Sequence, residues 1–318
     1  MADRTTHTLR TAYRPSTDSA HHTHFKTFIK FLCVFQLPLT LQLDNILLFI
    51  QFLADNNISP KVIQGYISSI RTMCRFYELD STVLSSHKVF LMLRSLRINS
   101  TYTPKDKGIF DIHLLQRISK ACANTKDPEL FRAIYLVSFF GFLRMSNIAP
   151  HSTSSFDPSK HILRQDVVFH DHGSRIKIRW TKTMQGRSDS FWVRLPILEN
   201  QLLCPTRALF QLLNSRCIPQ HYPLFAQKIT PHKQVTDTLI CSILKQIFNI
   251  LSVDHTPLGF HAFRRSGATL AFDNHIPLQN IMAHGQWKSD AIWTYLEKAS
   301  VAPSLIPQIF SRVIPRIL

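Results

Sequence analysis

Apolar residues recur at three- and four-residue steps along most of the chain, and the phase of that recurrence predicts a series of amphipathic helices. The clearest spans 60–77. Ser59 stands where an N-cap belongs, Pro60 opens the helix where a missing N–H costs nothing, and Ile63, Ile67, Ile70, Cys74 and Tyr77 form one face. Shorter runs predict helices over 25–35, 41–55 and 88–96. The pattern stops between Asn99 and Gly108, where Ser100-Thr101-Tyr102-Thr103-Pro104-Lys105-Asp106-Lys107 is polar, basic and turn-forming. It resumes at Asp111, which can cap a helix through Leu114, Leu115, Ile118 and Cys122. Asp127-Pro128 then starts a helix over 130–143 that is apolar on nearly all sides and is therefore expected inside a domain. From there the period changes to two. Val167/Phe169, Ile176/Ile178/Trp180 and Phe191/Val193/Leu195 predict three short antiparallel strands. Helices return at Cys204-Pro205, over 236–251 and after Gly259, with Leu224-Phe225 as a buried pause between them. The predicted fold class is mainly α with a small antiparallel β-sheet, an α+β chain.

This punctuation divides the sequence into a basic, flexible arm (1–20), a helical domain (21–98), a linker (99–109) and a larger domain (110–318) whose tail (301–318) is apolar. In the tail, Leu305, Ile309, Phe310, Val313 and Ile314 fall at helical steps and call for a partner surface, on their own domain or on a neighbour. The formal charge is +17, from 37 Lys and Arg against 20 Asp and Glu, which suits a polyanion and most simply nucleic acid. On the helix at 60–77, Gln64, Ser68, Arg71 and Arg75 make a polar row beside the apolar face. Such a row is either ordinary solvated surface or a DNA-facing one. No run has the length and apolarity of a membrane span, and no secretory signal opens the chain, so a soluble intracellular protein is expected. Six scattered cysteines without a C-x-x-C pair argue against a zinc site or a disulfide framework. Cys33, Cys74, Cys122 and Cys241 are expected as small buried hydrophobes. No metal site is expected, the His-rich start included.

The densest chemistry lies between His255 and Tyr295. Gly259-Phe260-His261-Ala262-Phe263-Arg264-Arg265 enters a helix in which positions three apart share a face, so His261 and Arg264 can address one anion, naturally a phosphate. The helix breaks at Asp273-Asn274-His275, a second starts at Pro277 and ends at Gly285, and Ser289-Asp290 caps a last one carrying Tyr295. The His-x-x-Arg spacing alone decides nothing, since it also occurs at His7/Arg10, His161/Arg164 and His172/Arg175. Only the copy at His261 opens a helix and is followed by Gly285-Gln286-Trp287 and then a tyrosine.

That ordered stretch resembles the C-terminal half of the tyrosine recombinase (phage integrase) family, in particular versions from eukaryotic mobile elements. The likeness extends upstream to two places. Gly141-Phe142-Leu143-Arg144-Met145-Ser146-Asn147 resembles the segment holding the family's first catalytic arginine. Trp180-Thr181-Lys182-Thr183 matches the hairpin that carries its lysine, with Lys177 in reserve. Many members have an acidic residue where Asn147 stands, and the family's last phosphate-contact position, a histidine or tryptophan near the glycine, falls to Trp287, His284 or Gln286 in the run His284-Gly285-Gln286-Trp287. The resemblance implies a helical core-binding domain joined to a catalytic domain, closing as a clamp on duplex DNA. Tyr295 would attack the scissile phosphate and form a 3′-phosphotyrosyl link. Free tyrosine ionises at about pH 10, so cationic neighbours must help it lose its proton. Arg144 and Arg264 would clamp the non-bridging oxygens. His261 would assist proton transfer, Lys182 would protonate the departing 5′-oxygen, and Trp287 would pack or donate toward the phosphate. No metal, ATP or other cofactor is called for, and the implied assembly is a homotetramer on DNA, nuclear in a eukaryotic host. Two other functions stay open: a DNA-binding protein that has lost cleavage, and a type IB-like topoisomerase.

Overall fold

The computed structural model describes residues 12–13, 15–102, 107–181, 190–228 and 233–296. The chain separates into two compact units, 1–104 and 105–318.

The first unit is all helical: α1 (Pro15–Val34), α2 (Leu43–Asp55), α3 (Pro60–Phe76) and α4 (His87–Asn99), with a 3-10 turn at Thr82–Ser85. Ser59 caps α3 by accepting from Val62 N–H, with Pro60 at its first turn, as the sequence predicts. Phe28, Phe31 and Leu32 of α1, Ile46, Phe49 and Ile50 of α2, and Ile63, Ile67, Ile70 and Cys74 of α3 fill the core. Helix α1 begins ten residues ahead of the predicted helix at 25, inside the segment expected as arm; residues 1–11 and 14 lie outside the described residues. Its first turns are polar but still anchored. His21 and His24 both reach the Ser69 hydroxyl of α3, at 3.0 and 2.8 Å, and His24 stacks on Tyr66. Hydrophobic periodicity does not register such contacts. Cys33 is exposed, against expectation, because it lies on the outer face of α1 beyond Leu32.

In the second unit, α5 (Ile112–Ala121) is capped by Asp111 and α6 (Pro128–Phe140) by Asp127. Helix α6 is buried along nearly its whole length and packs against α8 (Pro205–Asn214) and α10 (His261–Asp273). It stops at Phe140, three residues short of the predicted 143, because Phe142 turns the chain with φ +48°. The short α7 (Met145–Ile148) follows. Strands β1 (Val167–His170), β2 (Gly173–Ile178) and β3 (Phe191–Pro196) form an antiparallel sheet in that order. Ile176 pairs with Val193 and Ile178 with Phe191, so the Ile176, Ile178, Val193 and Leu195 side chains face the core. Trp180, expected as the last position of the second strand, lies past its end. Helices α9 (Asp237–Ile250), α11 (Leu278–Gly285) and α12 (Trp293–Leu296) complete the unit. No helix among the described residues is long and apolar enough to cross a membrane, and no cluster of His, Cys, Asp and Glu among them could hold a metal ion.

Candidate functional site

Three glycines and one strained residue bring the end of α6 together with α10 and α11. At Gly267, a Cβ would collide with Phe139 O and crowd the Phe142 ring, so only glycine lets α10 cross this closely. Gly141 faces the same limit against Val137 O. Phe142, in the left-handed region that a bulky residue adopts at a cost, directs its carbonyl at Arg264. After Gly285, Gln286 turns through φ +54°, Trp287 N–H donates back to Met282 O, and the indole folds over the bare Cα of Gly285.

Arg264 sits at the centre and is only 1% exposed. Its two terminal nitrogens donate to Phe142 O and, at 2.7 Å, to Gly285 O. The Trp287 ring covers it at 3.8 Å and the Tyr295 ring lies 5.5 Å away. Carbonyls hold the guanidinium in place without neutralising it. Burial, with the Arg144 charge adding to it, pushes its pKa down to about 9. Among the described residues no ion pair offsets either Arg144 or Arg264. A buried cation left in that state favours an anion that enters the site.

Tyr295, on α12, meets His261 at the start of α10: the phenolic oxygen is 2.8 Å from His261 Nε2. Thr269 holds the same turn by donating to Tyr295 O at 3.4 Å, and Trp287 meets the ring edge-on at 5.1 Å. Desolvation and the charges of Arg264, Arg265, Arg144 and Lys107 push the His261 pKa down to about 4. The imidazole is therefore neutral at pH 7. This has a measurable consequence for stability. Between about 4 and its ordinary 6.5, the unfolded chain binds the proton that folded His261 refuses, so stability falls as pH drops through that window. His24, His161 and His284 are depressed in the same direction. His261→Gln should thus remove part of the acid loss in melting temperature, and an unchanged profile would show that His261 titrates normally.

Arg144 caps α7 and is half-buried. Asn147, 3% exposed, fixes it: Asn147 Oδ1 accepts from Arg144 N–H at 3.1 Å, and its Nδ2 donates to Trp180 O at 3.0 Å. One amide thereby joins the arginine to the stem of the β2–β3 hairpin. An acid in that place could accept the first bond but would turn a carboxylate against Trp180 O. Asn147→Asp is expected to lower stability by about 1–3 kcal/mol, read as a fall in melting temperature. Unchanged melting would show that the Trp180 bond contributes nothing.

Lys182 lies outside the described residues, and so does the tail 301–318. The hairpin stem beside Lys182 is fixed by Arg179, which grips Asp166 through two hydrogen bonds of 2.7 Å. Lys177 lies one residue before the end of β2, opposite Trp192. His284 Nε2 donates to Phe140 O at 2.8 Å, and Gln286 Nε2 donates to Ala283 O. Trp287 is the residue laid on Arg264, and its buried indole N–H has no partner among the described residues.

The other His-x-x-Arg copies separate by burial. Arg164 is internal, bonding Leu213 O at 2.6 Å, and Arg175 stacks on Trp192; His7 and Arg10 are outside the described residues. On α3, Gln64, Ser68 and Arg75 are exposed, whereas Arg71 is half-buried and spends its guanidinium on Leu84 O at 2.5 Å. Sequence reasoning did not single out Phe142, whose contribution is a backbone carbonyl, or Arg265, buried beside Arg264 and bonding Gly108 O. For Arg265 the adjacent pair of arginines was the visible signal.

No family model matches the sequence, and neither does any curated protein. Solved structures do resemble it. Lambda integrase bound to DNA superposes with a TM-score of 0.62 at 12% identity, covering 94% of this chain and 95% of that one. A lambda integrase tetramer bound to a Holliday junction gives 0.59 at 12% identity, covering 92% and 77%. The Tn1549 transposon integrase in complex with transposon right end DNA gives 0.56 at 13% identity, covering 87% and 86%. Over nearly its whole length, this chain has the fold of the tyrosine recombinases.

Proposed function

We propose that the protein cuts and rejoins DNA strands through a 3′-phosphotyrosyl intermediate, as the recombinase or integrase of a mobile element. The observation that carries this reading is the 2.8 Å contact between Tyr295 Oη and a neutral His261, set over the buried, un-neutralised Arg264. A scissile phosphate entering between Arg264 and Arg144 meets two guanidinium forks. Its negative charge also raises the proton affinity of His261 at the moment Tyr295 must lose a proton. The Tyr295 oxygen bonds to phosphorus, the bond from phosphorus to the 5′-oxygen breaks, and Lys182 supplies the proton that the departing oxygen needs. Attack by a new 5′-hydroxyl reverses each transfer and rejoins the strand, because the phosphotyrosine keeps the bond energy. Trp287 keeps Arg264 flat and water away from it.

The partner in this reading is double-stranded DNA, met in the first unit by the exposed Gln64, Ser68 and Arg75 of α3, with Arg71 bracing that helix from within. The assembly is a homotetramer on DNA, and in a eukaryote its place of work is the nucleus. A pool of random-sequence duplexes, each nicked so that the 5′ fragment diffuses away, tests the chemistry. Wild-type protein should become covalently attached at Tyr295, and sequencing the attached DNA gives the preferred site. DNA retained without any covalent product would instead identify a binding protein. Relaxation of supercoiled DNA lacking that site would identify a topoisomerase.

A further inference from the structure

The residues just ahead of α5 are fastened to the elements that carry the site. Gly108 N–H donates to Pro257 O at 2.9 Å, Gly108 O accepts from Arg265 Nη1 at 3.1 Å, and Phe110 N–H donates to Ser266 Oγ at 2.8 Å. Gly108 has no room for a side chain: a Cβ would stand 2.6 Å from Leu258 Cδ2 and 3.1 Å from Pro257 Cβ, and would lift the segment off the approach to α10. Arg265, 7% exposed, spans the short distance between this segment and the site, since its guanidinium carbon also lies 5.9 Å from the centre of the Tyr295 ring. Residue 107 therefore starts from a fixed backbone position within one long side chain of the candidate nucleophile.

Lys107 itself is exposed, whereas Gly108 beside it is buried. Its charge is one of four that bear on His261, the others belonging to Arg264, Arg265 and Arg144. An ordinary surface lysine swings freely and avoids other cations. This one is tethered where three arginines already gather, a placement that is unfavourable until an anion arrives. We propose that Lys107 is a further phosphate-binding cation of the site, held in reach by the Gly108 hook and by Arg265 acting as its positioning residue. The proposal rests on the phosphodiester reading above. It gives the start of the second unit, ahead of α5, a direct part in the chemistry: Lys107 meets the same phosphate as Arg144 and Arg264.

The test compares full-length wild type, Lys107→Ala and Lys107→Arg, all saturated with the nicked duplex. Lys107→Ala, at an exposed position, should fold normally and attach about tenfold more slowly. Lys107→Arg should recover most of the rate. On a duplex with an uncharged methylphosphonate at the scissile position, the difference between Lys107→Ala and wild type should shrink to about twofold or less. An undiminished defect on the neutral substrate, or no defect on either, overturns the proposal. A second measurement does not depend on cleavage. In the protein without DNA, the His261 imidazole should titrate at higher pH in Lys107→Ala than in wild type, and an unmoved titration overturns the placement of Lys107. Wild type that attaches no DNA at all, with the titration shifted as expected, would count against the functional reading and leave Lys107 as an anion-binding cation of this cleft.

Discussion

Tyr295→Phe is expected to abolish covalent attachment to DNA while leaving duplex affinity and folding close to wild type. The substitution removes a single oxygen. The ring keeps its edge-on contact with Trp287 at 5.1 Å and its place beside Arg264. The lost hydrogen bond to His261 is partly solvent-accessible and is worth about 0.5–1.5 kcal/mol, too little to unfold the unit. In the proposed reading duplex binding depends on the basic surface, which is untouched. Attachment, by contrast, has no other nucleophile placed against His261 and Arg264 among the described residues. Covalent product that persists in Tyr295→Phe at more than about a hundredth of the wild-type level would move the nucleophile elsewhere.

Gly285→Ala is expected to be nearly as damaging to cleavage, through one added methyl group. The new Cβ would overlap the six-membered ring of Trp287, so the indole must leave its position over Arg264. The carbonyl of the same residue is one of the two that hold the guanidinium, so any backbone shift that accommodates the methyl also loosens Arg264. Overpacking of this kind costs about 1–3 kcal/mol of stability, and a misplaced phosphate clamp costs about a hundredfold or more in rate. A melting curve alongside the attachment assay separates the two effects. Full activity together with normal melting would show that Trp287 has room to move and that its contact with Arg264 is incidental.

Much of the framework was legible because it is written in side chains with local effects. Ser59, Asp111, Asp127 and Thr236 each cap the helix that the apolar period predicts, and Pro60, Pro128 and Pro205 each open one. The strand alternation at Ile176, Ile178, Val193 and Leu195 likewise matches the sheet register. What escaped is written in the backbone or in distant partners. The apolar pattern carries α6 past its actual end at Phe140 because nothing in Gly141-Phe142-Leu143 announces that phenylalanine, rather than glycine, takes the positive φ. The polar start of α1 escaped since its anchors are hydrogen bonds to Ser69, forty-five and forty-eight residues away in sequence. Arg71 looked like its neighbours in the polar row, and only the position of Leu84 O sets it apart. In the site, the sequence pattern points to His261, Arg264, Trp287 and Tyr295, and the structure brings these four together. That Arg264 is gripped by two carbonyls could not be read, because a carbonyl belongs to every residue alike.

The grip on Arg264 has a consequence for how such a sequence ages. A guanidinium kept charged in the interior, answered by carbonyls and by no carboxylate among the described residues, is a standing liability to the folded state, and in the proposed reading it is tolerated only while the strand-transfer chemistry is under selection. In a copy that no longer needs to cut DNA, a neutral donor at position 264, such as glutamine, would relieve that liability and still bond one carbonyl. Under the proposed strand-transfer reading, loss of that activity would then proceed downhill in stability terms, toward a sturdier protein that keeps the fold without the chemistry.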